Sequence, residues 1–336
     1  MARVVTLGAA LQDLYLIDRD DFVKAEVYSV RSAAHESLFG ELKIGSKVDI
    51  DKISYEVGGG GTNSAVAFSR HGHSVVYFGS IGRDTAGEAV LACLDEEGID
   101  SSYVKVATRK NTGCSVILLD SISGERTILT CRGASAKFDN FGPADLEAVA
   151  PDYLYITTLR GDFKTLETFL KTAKSMRIKV ALNPGQIELN DKSQLTKLLG
   201  YVDILIVNKA EAAQLVPGSI LVELCSRLHN YVETVIITDG NMGGIATDGV
   251  ETYRFGMYED VPVKDTTGAG DAFGAGFVAH LAAGKSFYDS LVFASANATS
   301  VVASFGAKRG LLTGRERLHQ MPIQKVTEER KIVTKE

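Results

Sequence analysis

The most informative stretch of the sequence is VKDTTGAGDAF, residues 263–273. Three small residues, Gly268, Ala269 and Gly270, stand directly before an apolar run with helical character. A glycine turn that leads into a helix presents unpaired backbone N–H groups and the positive end of the helix dipole, which together favour a bound phosphate. Asp271 lies in the first turn of this helix, where its carboxylate can take a proton from an attacking hydroxyl. The alternative is that Asp271 only stabilises the helix N-terminus and that the glycines only permit a turn.

A second glycine-containing stretch, EVGGGGTNSAVAFSRHG, covers residues 56–72. Four glycines follow an alternating, strand-like segment and precede a predicted helix over 63–71. Glycines let a backbone approach a ligand closely, and the Asn63 amide can both donate to and accept from a polyol. Taken alone, such a run is equally well explained as a flexible turn.

Other phosphate- and metal-binding motifs are excluded. The segment GELKIGSK at 40–47 has its Lys and Ser in the wrong order for a Walker A loop, and GAALQD after the first strand lacks a dinucleotide fingerprint. His71 and His73 have no ligand spacing to a Cys or Glu, so we expect them at a surface or at a helix end.

Composition narrows the class of protein further. The 336 residues carry a net charge of −6, which gives no support for binding to nucleic acid or to an anionic membrane. The four cysteines form no CxxC pair, and no apolar run approaches the roughly 18 residues that a membrane span needs. We therefore expect a cytoplasmic protein with reduced cysteines.

The order of predicted elements indicates an α/β body. After Pro143, strand-like and helix-like runs alternate regularly, which favours a parallel sheet covered by helices, with ligands at the carboxyl ends of the strands. Two separated stretches of alternating residues, roughly 13–57 and 103–133, predict a small β appendage. The body is expected to span 1–320, and 321–336 to be a charged C-terminal tail.

With both glycine stretches in view, the chain resembles the PfkB-type carbohydrate kinase family, which has the ribokinase-like fold. GGGGTN at 58–63 is similar to the N-terminal signature of the family and DTTGAGDAF at 265–273 to its C-terminal signature. The resemblance covers most of residues 3–312 and also includes GRDTAGE at 82–88. It implies a three-layer parallel-sheet body with a small β lid, and transfer of the ATP γ-phosphoryl group to a hydroxyl with Mg²⁺, and with K⁺ as a further candidate cofactor.

The resemblance also implies roles for individual residues. Asp271 matches the catalytic base, and Gly268, Ala269 and Gly270 match the anion hole. Substrate contacts are implied for Asp13, Gly59, Gly60 and Asn63. Nucleotide contacts are implied for Asn183, Asn208, Thr238, Gly240 and Asn297. Metal contacts are implied for Glu211, which would reach Mg²⁺ through water, and for Asp265 and Thr267, which would help to hold a monovalent cation together with backbone carbonyls of 301–310.

Plainer interpretations remain open for several of these residues. Asn208 and Asp265 can be read as simple caps, Asp13 as a loop acid and Glu211 as a solvated helix residue. A non-catalytic sensor of sugars or nucleotides is disfavoured, because such a protein has no need of Asp271 and the anion-hole glycines.

Two departures from the family pattern bear on the substrate. The stretch 21–46 is unusually long and polar, which favours an enlarged lid or an additional oligomer contact. Gly60 stands where ribokinase carries a lysine, which weakens the case for phosphorylated substrates and leaves ribose open but not favoured. A neutral sugar or polyol is the first expectation and a nucleoside the second. Arg132 is read either as facing an acidic sugar or, preferably, as a solvated residue.

A homodimer through the lid is also expected, since it would cover open sheet edges.

Overall fold

The computed structural model describes residues 1–18, 30–32, 35–37, 47, 50, 52–120, 126–258 and 260–326. In chain order, the strands are β1 (Arg3–Leu7), β2 (Leu11–Asp18), β3 (Val30–Ser32), β4 (His35–Ser37), β5 (Lys52–Gly58), β6 (Ser74–Phe78), β7 (Ser80–Gly82), β8 (Lys105–Ala107), β9 (Gly113–Asp120), β10 (Arg126–Cys131), β11 (Tyr153–Ile156), β12 (Lys179–Leu182), β13 (Ile204–Asn208), β14 (Thr234–Thr238), β15 (Gly244–Thr247), β16 (Thr252–Phe255) and β17 (Ile323–Lys325).

The helices in the same ranges are α1 (Gly60–Arg70), α2 (Thr85–Glu96), α3 (Pro143–Val149), α4 (Phe163–Met176), α5 (Gln186–Asn190), α6 (Lys192–Leu198), α7 (Lys209–Leu215), α8 (Leu221–His229), α9 (Ala269–Ala282) and α10 (Phe287–Val302). Short 3₁₀ turns lie at Gly133–Ala136, Leu199–Tyr201 and Gly240–Met242.

The body is a nine-stranded sheet, counted over the described ranges, in the order β17-β16-β15-β14-β13-β12-β11-β1-β6. The strands from β14 to β6 in this order run parallel, and β15, β16 and β17 are antiparallel. The parallel strands read as continuous apolar runs because helices cover both of their faces. One hydrophobic cluster packs α3, α4 and α6–α8 against the sheet, and a second packs α1, α2, α9 and α10 against the opposite face. The three-layer ribokinase-like architecture is confirmed.

A separate sheet of four strands in the described ranges, which we call the lid sheet, has the order β10-β9-β2-β5. Its inner face carries Asp13, Tyr15, Ser115 and Ile117, all of them buried. The strands β9 and β10 fall within the predicted stretch 103–133, whereas β2 begins two residues before, and β5 ends one residue after, the predicted stretch 13–57. Because β2 follows β1 directly and β5 leads directly into α1, the lid sheet is joined to the body at the end of β1 and at the start of α1.

Two expectations need correction. The body does not stop at residue 320, because Ile323–Lys325 pairs with β16 as an edge strand and Ile323 packs against the second hydrophobic cluster. The charged residues that follow hid this short apolar contact. Helix α1 begins at Gly60 rather than at Asn63, since its first turn is formed by glycines that a propensity argument assigns to the loop. Most of 21–46 lies outside the described residues.

No helix within the described residues is long and apolar enough to cross a bilayer.

Candidate active site

The N-terminus of α9 forms the floor of the site. Gly268 is the N-cap, with φ of 77°, and a Cβ at this position would lie 2.3 Å from the Cβ of Ala307. Glycine is therefore required here both by conformation and by space. A Cβ on Gly270 would meet nothing within 4 Å, so this residue faces open space. The small residues thus present the first turn of α9 directly to a cleft.

Asp271 lies between the N-termini of two helices. Its Oδ2 accepts a hydrogen bond of 2.8 Å from Nδ2 of Asn63, which stands in the first turn of α1. Its Oδ1 lies over Gly60, where an added Cβ would be 3.3 Å away. Burial raises the pKa of Asp271, while the Asn63 hydrogen bond and the Lys308 ammonium act in the opposite direction. One carboxylate oxygen is therefore held by the protein, and the other faces the position that Gly60 leaves free of a side chain.

Lys308, which the sequence analysis did not identify, contacts the same group of residues. Its Nζ donates to the carbonyl of Val57 at 2.5 Å and to Oδ1 of Asn63 at 2.6 Å, with a longer contact of 3.2 Å to Oγ1 of Thr62. Burial lowers the pKa of Lys308 to about 8, although neighbouring acidic groups oppose the shift. Lys308 is 245 residues from Asn63 in the chain, and no local motif in GAKRG signals the contact.

Asp13 is brought to the site by the lid sheet. Its side chain is only 6% exposed and lies against Gly58, where a Cβ would be 1.8 Å from Oδ2. Burial raises the pKa of Asp13, and the hydroxyl of Ser115 lowers it. Gly59 has φ of 95°, and a Cβ on it would lie 2.4 Å from the carbonyl oxygen of Ala9. Glycine is thus required at position 58 by Asp13 and at position 59 by the Ala9 carbonyl, which lies just after β1. The contact between Asp13 and Gly58 was not predicted.

A cleft of about 240 Å³ runs from α9 along the carboxyl ends of the parallel strands. It brings together several residues that the sequence analysis singled out, and adds three that it did not. The predicted residues that line it are Asn183, Asn208, Glu211, Thr238, Gly268, Gly270 and Asp271, and the additional ones are Ile206, Val207 and Thr266. Position at the ends of β12, β13 and β14 explains the grouping, since these ends meet at one edge of the sheet.

Asn208 and Glu211 cap each other at the start of α7. Oδ1 of Asn208 accepts from the Glu211 N–H at 2.9 Å, and Oε2 of Glu211 accepts from the Asn208 N–H at 2.8 Å. The capping interpretation left open for Asn208 thus describes its contact in this structure. Burial raises the pKa of Glu211. Since Mg²⁺ is commonly held by one or two carboxylates together with substrate phosphates, the Glu211 carboxylate at the cleft fits that ion. No group of three or more metal-ligating side chains occurs in the part of the chain that the structure describes.

Asn297 and Gly240 lie apart from the residues that line the cleft. The Asn297 side chain is 1% exposed, donates to the carbonyl of Ala272 at 2.7 Å and accepts from the N–H of Leu312 at 2.8 Å. Both ends of its amide therefore join α10 to α9 and to the following loop. Gly240 is exposed at the first position of a 3₁₀ turn.

Asp265 fixes the turn that precedes α9. It is fully buried, and its two oxygens accept from the N–H groups of Thr267 at 2.9 Å and of Gly306 at 3.0 Å. Oγ1 of Thr267 is buried without a hydrogen-bond partner in the described residues. The hydroxyl oxygen of Thr267 and the carboxylate of Asp265 are oxygen ligands of the kind that could hold a monovalent cation.

Comparison with known proteins agrees with this geometry. The model of the pfkB family carbohydrate kinases matches residues 31–313. The chain belongs to this family. A ribokinase of Haemophilus influenzae is 31% identical over 276 residues, which cover 80% of this chain and 87% of that protein. An adenosine kinase of Schizophyllum commune is 28% identical over 318 residues, covering 84% and 87%.

The pfkB family assignment also agrees with the fold. The structure of Arabidopsis thaliana ribokinase complexed with ribose and ATP has a TM-score of 0.75 with 24% identity, and the match covers 93% of this chain and 96% of that one. The pfkB-family chain is accordingly a kinase, a phosphotransferase of the carbohydrate kinase type that uses ATP.

Proposed function

We propose that this kinase transfers the γ-phosphoryl group of ATP to a hydroxyl of a neutral sugar or sugar-like polyol, with Asp271 as the general base. The observation that carries the proposal is the position of the Asp271 carboxylate. One oxygen is held by Asn63, the other lies beside Gly60, and the residue lines the cleft next to the first turn of α9. A hydroxyl bound in this part of the cleft would give its proton to Oδ1 while its oxygen attacks the γ-phosphorus and ADP leaves.

The residues around Asp271 would stabilise the transferring phosphoryl group, bind the ATP phosphates and hold the cations. The first-turn N–H groups of α9, at Gly268, Ala269 and Gly270, would stabilise charge on the transferring phosphoryl group. Asn183, Asn208 and Thr238 line the cleft along which the ATP phosphates would lie. When bound, Mg²⁺ would neutralise phosphate charge, and Glu211 is the acid placed to hold it through water. A monovalent cation such as K⁺ at Asp265 and Thr267 would order the turn that carries the anion hole.

Two nucleotide contacts have weaker structural support. Gly240 lies in the exposed turn after β14, where its backbone would approach the phosphates. Asn297 would shape the adenine side of the pocket through the position of α10, since both ends of its own amide are engaged inside the protein.

The acceptor would be held between the lid sheet and the body. Asp13 on β2 is an acceptor for substrate hydroxyls, and Gly59 and Gly60 allow the backbone to approach the sugar. Closure of the lid sheet would exclude water, which otherwise competes for ATP. A nucleoside is the second candidate acceptor, because an adenosine kinase is among the relatives with matching length.

An acidic sugar is a third case that the structure makes worth testing. Arg132 is half-buried at the end of β10, and burial lowers its pKa, as does the nearby charge of Arg160. Asp13 and Glu188 oppose that shift, so Arg132 already has acidic neighbours in the protein. Because these acids already offset the charge of Arg132, a neutral acceptor remains the first proposal.

A coupled ADP-release screen tests the proposal. Sugars, polyols, nucleosides and sugar acids would each be offered with ATP and Mg²⁺, with and without K⁺, to the wild type and to Asp271→Asn. Turnover on a neutral sugar that Asp271→Asn abolishes supports the proposal, and turnover on nucleosides alone supports the second candidate. Silence with every acceptor would favour a non-catalytic sensor.

The homodimer expected through the lid is proposed on the outer face of the lid sheet. Ile53, Tyr55 and Leu129 are 50%, 65% and 60% exposed and share this face with Leu14 and Val116. Apolar side chains on neighbouring strands form a continuous patch of the kind that marks an interface.

A cytoplasmic location is likewise proposed, supported by four cysteines that form no disulfide.

A further inference from the structure

Asn63 and Lys308 form a chain of contacts that ends at Asp271. Lys308 donates to Oδ1 of Asn63 at 2.6 Å, and Nδ2 of Asn63 donates to Oδ2 of Asp271 at 2.8 Å. Asn63 is 5% exposed, so its amide has little access to water that could offer other partners. An ammonium group only donates and a carboxylate only accepts. The amide between them can therefore satisfy both neighbours in one orientation only.

We propose that Lys308 is a positioning residue for phosphoryl transfer, which fixes the orientation of the Asn63 amide and thereby directs the free oxygen of Asp271 at the substrate hydroxyl. With Nδ2 of Asn63 bound to Oδ2, it is Oδ1, beside Gly60, that is left for the substrate hydroxyl in the cleft that Asp271 lines. Without the lysine, Oδ1 of Asn63 loses its donor and only Asp271 still distinguishes the two ends of the amide. A reversed amide would turn its oxygen toward the carboxylate, and the repulsion would move Asp271.

The loop that carries Lys308 is held in place by contacts of its own. Arg70 donates to the backbone carbonyl of Lys308 at 2.6 Å, and Gly306 donates its N–H to the buried Asp265. The lysine also donates to the carbonyl of Val57 at 2.5 Å, at the end of β5. Lys308 thus connects the loop after α10 to the glycine stretch before α1, and the glycine stretch has no lysine of its own.

A second consequence follows for Asn63. The sequence analysis assigned it to direct contact with a polyol. In the structure, however, its Oδ1 already accepts from Lys308 and one N–H of its Nδ2 is already donated to Asp271. Asn63 thus acts first on the base, and any contact with substrate would use its one remaining N–H or the second lone pair of Oδ1. Loss of Asn63 is then expected to lower kcat and not only to raise KM for the acceptor.

The inference rests on the proposed function, and a double-mutant cycle tests it. Lys308→Met should lower kcat by up to about 100-fold, because small displacements of a reacting group cost that much, with KM for ATP unchanged. In an Asn63→Ala background the same substitution should change kcat less than about threefold, since the lysine acts through the amide. Equal losses in the two backgrounds would overturn the proposal. Arg309→Gln, a change of the neighbouring exposed side chain, is the control and should leave kcat unchanged.

A measurement that needs no activity separates this inference from the proposed function. Hydrogen exchange of the Asn63 side-chain amide, identified by its absence in the Asn63→Ala spectrum, should be slow in the wild type and fast in Lys308→Met. Unchanged protection would overturn the inference even if the enzyme is active. An inactive wild type with this loss of protection would remove the proposed function alone. If Lys308→Met does not fold, Lys308→Gln replaces it in both experiments, because its amide tip can donate or accept and so does not enforce one orientation.

Discussion

Gly58 and Asp13 are in direct contact. Because Gly58 has no side chain, Asp13 can occupy the position proposed for substrate binding. A Cβ at position 58 would lie 1.8 Å from Oδ2 of Asp13, so the carboxylate can occupy its place only beside a glycine. Asp13 is the acid proposed to hold acceptor hydroxyls, and its position is therefore set by a residue that itself contacts no substrate.

Gly58→Ala is expected to raise KM for the acceptor about tenfold or more while KM for ATP stays the same. The displaced Asp13 would lose hydrogen bonds to the substrate, and tenfold corresponds to about 1.4 kcal/mol. Steady-state kinetics with each substrate varied in turn measure both constants. Gly200→Ala is the matched control, because a Cβ there meets nothing within 4 Å. An unaltered acceptor KM would argue against the proposed role of Asp13.

A second substitution distinguishes a structural role of Asn297 from a direct contact with adenine. Its buried amide bonds to Ala272 and Leu312, so Asn297→Ala leaves the Leu312 N–H without its partner and removes the second hydrogen bond of the Ala272 carbonyl. We expect the free energy of unfolding to fall by about 1–3 kcal/mol. Urea denaturation measures the change. A raised KM for ATP with undiminished stability would instead indicate the direct adenine contact that the family resemblance implies.

At the scale of the elements, α1 and α9 meet at both of their ends. Their N-termini place Asn63 beside Asp271, and near their C-termini His71 and His280 are in hydrogen-bond contact at 2.8 Å. His71 also stacks on His73, which is buried, accepts from the N–H of Ala2 and donates to the carbonyl of Ala279. The expectation that both histidines lie at a surface or helix end holds for His71, the C-cap of α1, and is wrong for His73, which packs under the helix end.

This histidine cluster predicts acid sensitivity. Burial, aided by the charges of His280 and His73, lowers the pKa of His71 to about 4, and burial also lowers the pKa values of His73 and His280. Between an unfolded pKa near 6.5 and that folded value, the unfolded state binds more protons, so stability is full above pH 6.5 and decreases as the pH falls. Glu316 is the nearby acid that partly offsets the effect.

Urea midpoints at pH 7 and pH 5 test this expectation. The wild type should be less stable at pH 5, and His71→Phe should show a smaller difference between the two values. His319→Gln, which alters an exposed histidine, should behave like the wild type. A midpoint that does not change with pH in the wild type would contradict the linkage to buried histidines.

The elements also show which features the sequence could predict. Local pattern predicted a helix directly after Gly270 and the alternation of strands and helices after Pro143, because apolar patterning reflects burial in α9 and in the parallel strands. The anion-hole glycines and Asp271 were found because their motif is contiguous. Lys308, Gly58 and β17 were missed because each acts through a partner far away in the chain, and single-sequence patterns carry no record of such contacts.

At the scale of the whole molecule, the lid sheet carries both a proposed substrate contact and the proposed dimer interface. Its inner face carries Asp13, and its outer face carries the apolar residues proposed for the homodimer. If two lids pair, each would support the other in the position that places Asp13 at the acceptor.

If the proposed dimer forms, Tyr55→Glu combined with Leu129→Glu is expected to convert it to a monomer, since buried carboxylates without partners oppose association. Light scattering at several protein concentrations measures the mass. Val250→Glu changes a residue that is 88% exposed and lies away from the lid sheet, and it should leave the mass unchanged. A wild type that is monomeric throughout would remove the dimer and leave the kinase assignment intact.

The most direct test of the account is the rate of phosphoryl transfer in a single turnover by Asp271→Asn. An amide of the same shape keeps the contacts around Asn63 but cannot accept the proton, so the rate should fall by at least about 100-fold while the affinity for ATP is retained. A near-wild-type rate with the acceptor identified in the screen would contradict the assignment of Asp271 as the base.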